Sequence, residues 1–228
     1  MLGLKNSAVL PTTERQSLPR AAVQADAQET WTPLTPVPAT ALPPPKAHPS
    51  HGQPSMIWTY CDRQGAALCH VWRFNLKGKD GKPVLDEYSK QEKAFAPLTF
   101  CLNAATGQTA WRWRGLPEPK LLYNLDKLAA NPQATVVICE GEKAADACSE
   151  LFSECVITTT LNGAQSPHKT DFSPLQGTIV WICPDHDEPG RKYAEHVIEL
   201  LKGIAREAKC LHITDDHPKG WDVGDALI

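Results

Sequence analysis

The sequence predicts an α/β protein: a parallel sheet of about four strands with flanking helices, preceded by a small β-rich segment and a disordered, proline-rich N-terminal tail. Three observations predict it. Short apolar runs alternate with helical periods through residues 126–228. Aromatic and β-branched runs separated by turn residues fill residues 55–125. Ten of the 20 prolines fall within residues 1–54, where Trp31 is the sole Phe, Tyr or Trp. These stretches set the expected divisions: tail 1–54, basic β-rich segment 55–125, α/β domain 126–228.

The elements follow in order. Ile57–Tyr60 and Leu68–Phe74 read as a hairpin around a turn at Asp62–Gly65, followed by a lysine-rich loop with Lys77, Lys79 and Lys82. Trp111-Arg112-Trp113-Arg114 alternates, so a strand there puts both tryptophans on one face and both arginines on the other. One reading is a stacking and phosphate-contacting surface for single-stranded nucleic acid. The other is a half-buried strand with its tryptophans inside. Residues 134–139 (ATVVIC), 155–160 (CVITTT) and 178–183 (TIVWIC) are continuous apolar or β-branched runs, as in strands covered on both faces. Helices are expected over residues 142–152 and 189–208, the second with apolar positions 194, 197, 198, 201, 204, 205 and 208. A fourth strand is expected over residues 209–214.

Charge is distributed unevenly. Residues 55–125 carry a balance of +4 and residues 126–228 one of −8, within a total of −3. The total excludes a uniformly basic nucleic-acid coat. No apolar run approaches the roughly 20 residues of a membrane helix. The opening MLGLKNSAVL is broken by Lys5, Asn6 and Ser7, so no signal-peptide core is read and a cytoplasmic location is expected. None of the eight cysteines stands at CxxC spacing, which gives no zinc-ribbon signal; free, buried thiols are expected.

In parallel α/β sheets, ligands sit beyond the carboxyl ends of the strands. There the first strand runs into Glu140-Gly141-Glu142-Lys143 and the third into Pro184-Asp185-His186-Asp187. Asp215-Asp216 and then Asp222 and Asp225 follow the fourth. Three strand ends thus supply carboxylates to one edge. Mg²⁺ takes one or two such acids and leaves room for phosphate oxygens and water. Neither GxxxxGK[ST] nor GxGxxG is present.

An apolar strand ending in Glu-Gly-Glu, then one ending in Asp-x-Asp with Pro-Gly-Arg (189–191) opening a helix, resembles the Toprim domain of bacterial-type primases, topoisomerases and certain nucleases. The stretch from Asn162-Gly163-Ala164 to Gly177, and the preceding Trp-Arg-Trp and Leu121-Leu122-Tyr123-Asn124-Leu125, are similar to the plasmid and phage DNA primase versions. The resemblance implies a Toprim-like (Rossmann-like) sheet and a DNA primase-like nucleotidyltransferase in the replication of a mobile genetic element. Mg²⁺ or Mn²⁺ would be its cofactor, single-stranded DNA and nucleotides its partners, and a replicative helicase a further one. It makes Glu140 the catalytic acid or base and also a metal ligand, with Asp185 and Asp187 as the metal-binding pair and Asp222 and Asp225 as further metal acids. Asp222 and Asp225 match more loosely. Lys77, Lys79, Lys82, Arg112, Arg114, Lys143 and Arg191 are the expected nucleic-acid contacts.

Other readings stand beside this one. Asp187 also suits an N-cap of the helix near Pro189, and Glu142 a helix N-terminus. Arg191 and Lys143 also suit solvated surface. A Toprim nuclease would use the same acids for hydrolysis. A non-catalytic nucleic-acid-binding remnant or subunit suits the missing zinc and Walker modules and an end at Ile228, where primases usually continue. A haloacid-dehalogenase-like phosphatase shares only the strand ending in Asp-x-Asp.

Overall fold

The computed structural model describes residues 31–85, 91–161, 163, 166–214 and 216–227. The described residues form two sheets. The first is antiparallel. Strands β2 (Met56–Cys61) and β3 (Ala67–Asn75) form the expected hairpin. Its turn is set by Asp62, whose carboxylate accepts the Gln64 and Ala66 N–H groups, both at 2.9 Å. β3 pairs with the first half of β4 (Lys93–Asn103), and the second half of β4 is flanked by β1 (Trp31–Pro33) and β5 (Thr109–Arg112).

β1 corrects the expected tail. Residues 1–30 lie outside the described residues, but residues 31–54 are not a structureless tether. Trp31–Pro33 is a sheet strand, and Leu34 and Val37 continue the pairing through bonds to Phe100 and Ala67. The proline-rich run then crosses Trp111 of β5 and Trp113 just beyond it. The Leu42 carbonyl accepts the Trp111 indole N–H at 2.7 Å, and the His48 ring stacks edge-on to Trp113 at 4.4 Å. Proline makes this strap stiff, and distant aromatic partners give it a place.

The second sheet has the expected four parallel strands, in the order β7-β6-β8-β9. These are β6 (Thr135–Cys139), β7 (Cys155–Thr159), β8 (Ile179–Cys183) and β9 (Glu207–Cys210). The continuous apolar runs are explained by burial on both faces. Val136, Ile138, Val180 and Ile182 pack beneath α1 (Leu125–Ala130) and α3 (Glu188–Leu201). Val137, Cys139, Ile157 and Cys183 pack beneath α2 (Glu142–Leu151). Each core covers one face, so the sheet is doubly wound.

Two boundaries differ from expectation. Helix α3 ends at Leu201, although apolar positions at helical spacing run on to Ala208. Gly203, at φ 76°, turns the chain where a side chain would be strained. Ile204, Ala205 and Ala208 still pack on the core, but from a turn and from β9, which therefore begins before residue 209. Residues 120–125 also touch both halves, Leu121 packing on the antiparallel core while its neighbours reach the parallel sheet. Leu122 bridges to Thr160, the Tyr123 N–H donates to Thr159, and Leu122 and Leu125 are buried among the strands under α3.

Candidate metal and catalytic site

β6 and β8 are neighbours, yet the helices that follow them lie on opposite faces of the sheet. The chain therefore parts at their carboxyl ends and leaves a crevice at the point where the winding reverses. Glu140 leaves β6 at this point and Asp185 leaves β8. The Asp185 N–H donates to Glu140 Oε1 at 2.9 Å, which joins the two strand ends directly. Helix α3 starts tight against them: a methyl group on Gly190 would lie 2.3 Å from the Asp185 carbonyl oxygen and 2.5 Å from Glu140 Oε1.

Asp187 is the N-cap of α3, its Oδ1 accepting the Gly190 N–H at 2.8 Å. The capping role foreseen for it is real and occupies one of its oxygens. The segment 220–222 is drawn in by two backbone bonds to His186: the Trp221 carbonyl accepts the His186 N–H, and the Gly220 N–H donates back, both at 2.8 Å. This places Asp222 close enough for its charge to act on both Glu140 and Asp185. Asp225 has a local role, accepting the Asp222 N–H at 3.0 Å. Asp215 lies outside the described residues.

The electrostatics follow from this crowding. Burial pushes the Glu140 carboxyl up; the Asp185 N–H opposes the rise, and the charges of Asp187 and Asp222 add to it. Asp185 is pushed up to about 7, first by burial and then by Glu140, Asp222 and Asp187. Its carboxylate accepts no hydrogen bond among the described residues. A partly buried carboxylate that accepts no hydrogen bond among the described residues and feels the charge of three other acids suits a hard divalent cation. Among the described residues no three metal-capable side chains converge on one point. Any Mg²⁺ here would have to be held by one or two of these carboxylates together with oxygens from outside the chain.

The expected basic residues divide into separate groups. Lys143, in the first turn of α2, lies beside the Asp222–Gly224 turn. Arg191 lines a cleft of about 300 Å³ with Asp185, His186 and the end of β9, while its guanidinium pairs with Glu188 at 2.9 Å. Lys77, Lys79 and Lys82 are exposed on the β3–β4 connection. Arg112 and Arg114 are at β5, which pairs six residues further along β4, roughly 20 Å from that loop at about 3.4 Å per residue. Trp111 in β5 and Trp113 just beyond its end are half-buried against the sheet, as the second reading held.

Several participants gave no sequence signal. Arg73, on β3 of the other sheet, feels the Asp222 carboxylate, although burial lowers its guanidinium overall. A polar seam joins the two sheets through α2. The Tyr60 hydroxyl donates to buried Glu142 at 3.0 Å. The Trp58 indole N–H and the Tyr123 hydroxyl both donate to Asp146, at 2.7 and 3.1 Å. Burial, more than any neighbour, raises the Glu142 carboxyl.

No known family model matches the chain, and no curated protein does. Solved structures show partial likeness. One is a chain of the bacteriophage T7 complex of lagging-strand DNA polymerase interacting with primase domains bound to an RNA/DNA hybrid and dTTP. It is 16% identical, with a TM-score of 0.49 over 75% of this chain and 70% of that one. Another is the zinc-binding and RNA polymerase domains of Aquifex aeolicus primase, at 16% and 0.45 over 75% and 36%. A third is a DNA primase domain from Pseudomonas aeruginosa, at 15% and 0.43 over 79% and 50%. Among the described residues no helix is long and apolar enough to cross a membrane.

Proposed function

We propose that the chain is a Toprim-type, primase-like nucleotidyltransferase of plasmid or phage replication, which extends primers on single-stranded DNA with Mg²⁺ or Mn²⁺ and works beside a replicative helicase. One observation carries the reading. Three separate chain segments bring Glu140, Asp185, Asp187 and Asp222 close enough at the reversal point of one parallel sheet for their charges to act on one another, and the Asp185 carboxylate accepts no hydrogen bond among the described residues. Asp185 and the free oxygen of Asp187 would hold the ion, with Asp222 adding negative charge. Bound there, the ion would neutralise charge on the transferring phosphoryl group.

Glu140 has a different task. One oxygen is fixed by the Asp185 N–H, which sets the orientation of the carboxylate while its second oxygen can take a proton. Its raised affinity for protons suits a base that must release them again. Lys143 and Arg191 border the acids on two sides, where phosphate oxygens of a nucleotide would lie. Asp225 holds its own turn and is left out of the metal set.

The test is template-dependent incorporation of labelled ribonucleotide, run beside a nuclease assay on the same strand. Glu140→Gln should abolish incorporation while melting temperature and Mn²⁺ affinity hold. Asp185→Asn with Asp187→Asn should weaken Mn²⁺ binding strongly by calorimetry. Wild-type synthesis that Glu140→Gln leaves untouched would assign the chemistry elsewhere. Strand cleavage without synthesis would favour a Toprim nuclease. A non-catalytic binding subunit is the second reading, favoured by the lack of a converging three-donor group among the described residues. Inactivity in both assays, with helicase added, would put it ahead.

A further inference from the structure

Three cysteines far apart in sequence meet beneath helix α2. Cys139 ends β6, Cys183 ends β8, and Cys148 lies on α2 against them. Cys139 and Cys183 are direct partners across the parallel ladder, and their side chains share the α2 face with Val137 and Ile157. Each of the three thiols interacts with the other two, and all three are free. They are not arranged as a metal-binding trio. What the cluster offers is sulfur beside sulfur, at the root of the acid site. Cys139 directly precedes Glu140, and Cys183 stands two residues before Asp185.

We propose that Cys139 and Cys183 are an oxidation site, which hydrogen peroxide closes into a reversible cross-strand disulfide that disturbs the Glu140–Asp185 contact. Paired residues on neighbouring strands have α-carbons roughly 4.8 Å apart, inside the span of about 4.4–6.8 Å that disulfides bridge. Side chains on one face of parallel strands keep their β-carbons at nearly that spacing, against about 3.8 Å in a relaxed disulfide. Closure therefore draws the two strand ends together. Cys183 reacts first, since it keeps 8% of its surface while Cys139 and Cys148 keep none. Its sulfur takes one oxygen as the peroxide O–O bond breaks, giving a sulfenic acid and one water. The Cys139 sulfur then displaces that oxygen as a second water and forms the S–S bond. Two thiols have lost two electrons and two protons, and one peroxide has become two waters. A dithiol reverses the step by exchange, and a strained bond is the kind most readily reduced. Drawing in the strand ends shifts Glu140 against the Asp185 N–H that fixes it at 2.9 Å. The crosslink stands without the proposed function, whereas its effect on a bound ion rests on that reading.

Peptide mapping of the full chain after peroxide treatment, with the remaining thiols alkylated in denaturant, tests this. The expected product is a linked pair of Cys139 and Cys183 peptides, lighter by two hydrogens and separated by dithiothreitol, with Cys148 alkylated. Amide exchange at Asp185 should quicken in the oxidised chain and recover on reduction. Mn²⁺ affinity by calorimetry should fall roughly tenfold on oxidation. Cys139→Ala and Cys183→Ala should each make both readouts indifferent to peroxide. The mapping uses the natural chain, so a variant that fails to fold leaves the test intact. Linkage through Cys148, sulfinic acid at Cys183, or thiols that peroxide leaves unchanged would each overturn the cross-strand bond. A crosslink with unaltered Asp185 exchange would overturn its effect on the acids. A crosslink that quickens Asp185 exchange in a chain that binds no Mn²⁺ in either state would uphold the oxidation site and sink the metal reading of the proposed function.

Discussion

Gly190→Ala is the most direct probe of how the acids are held. The added methyl would lie 2.3 Å from the Asp185 carbonyl oxygen, 2.5 Å from Glu140 Oε1 and 3.0 Å from the Asp185 nitrogen. Carbon–oxygen approaches of about 3.3 Å are normal, so helix and strand end must separate by roughly 1 Å. Two of the three obstructing atoms are backbone, and no side-chain rotation relieves them. Overpacking of this kind costs about 1–3 kcal/mol, and loss of the Glu140–Asp185 bond adds about 1. Better helix propensity returns at most about 1 kcal/mol, less in a first turn. A net loss of about 1–4 kcal/mol lowers melting by roughly 2–16 °C in a chain of this size. Calorimetric melting reads the stability, and amide exchange at Asp185 reads the bond. Melting within a degree of wild type with undiminished Asp185 protection would refute the close packing on which the site description depends.

Two further substitutions separate folding from site chemistry. Asp187→Ala removes the α3 cap and should cost about 1 kcal/mol, while Asp187→Asn keeps the cap and the stability. Melting and Mn²⁺ calorimetry on the pair check this, and both variants should bind the ion poorly. Asp185→Asn should stabilise the metal-free protein at alkaline pH. Its carboxyl titrates near 7 when folded against 3.8 in the reference state, so its favourable contribution is full below about 4 and lost as pH rises through about 7. The gain, capped at ~4 kcal/mol by the size of that shift, should vanish in melts near pH 4.

The parallel half was readable because residues 134–139, 155–160 and 178–183 carry their burial in continuous apolar or β-branched runs, the usual composition of strands covered on both faces. Glu140 and Asp185 were readable for the same reason: each directly follows such a run. The end of α3 was not, because Ile204, Ala205 and Ala208 keep a helical spacing while packing from a turn and a strand. The order of residues 31–54 was not, because its causes are distant: the β4 ladder, the Trp111 indole and the His48–Trp113 contact. Arg73 and the Tyr60–Glu142 bond had no local signal either, since each acts across two sheets.

The seam along α2 has a bearing on how such a chain can be cut and exchanged. A piece beginning at residue 126 would keep Glu142 and Asp146 but lose Trp58, Tyr60 and Tyr123, the three donors that satisfy them. It would also lose Leu122 and Leu125 from the core beneath α3. The helix that starts directly after Glu140 would then present orphaned acids where it had been anchored. The parallel sheet is therefore not a cassette that recombination can lift onto another partner by its acidic motifs alone. It travels with residues 56–61 and 120–125, or with replacements that offer the same three donors and two leucines.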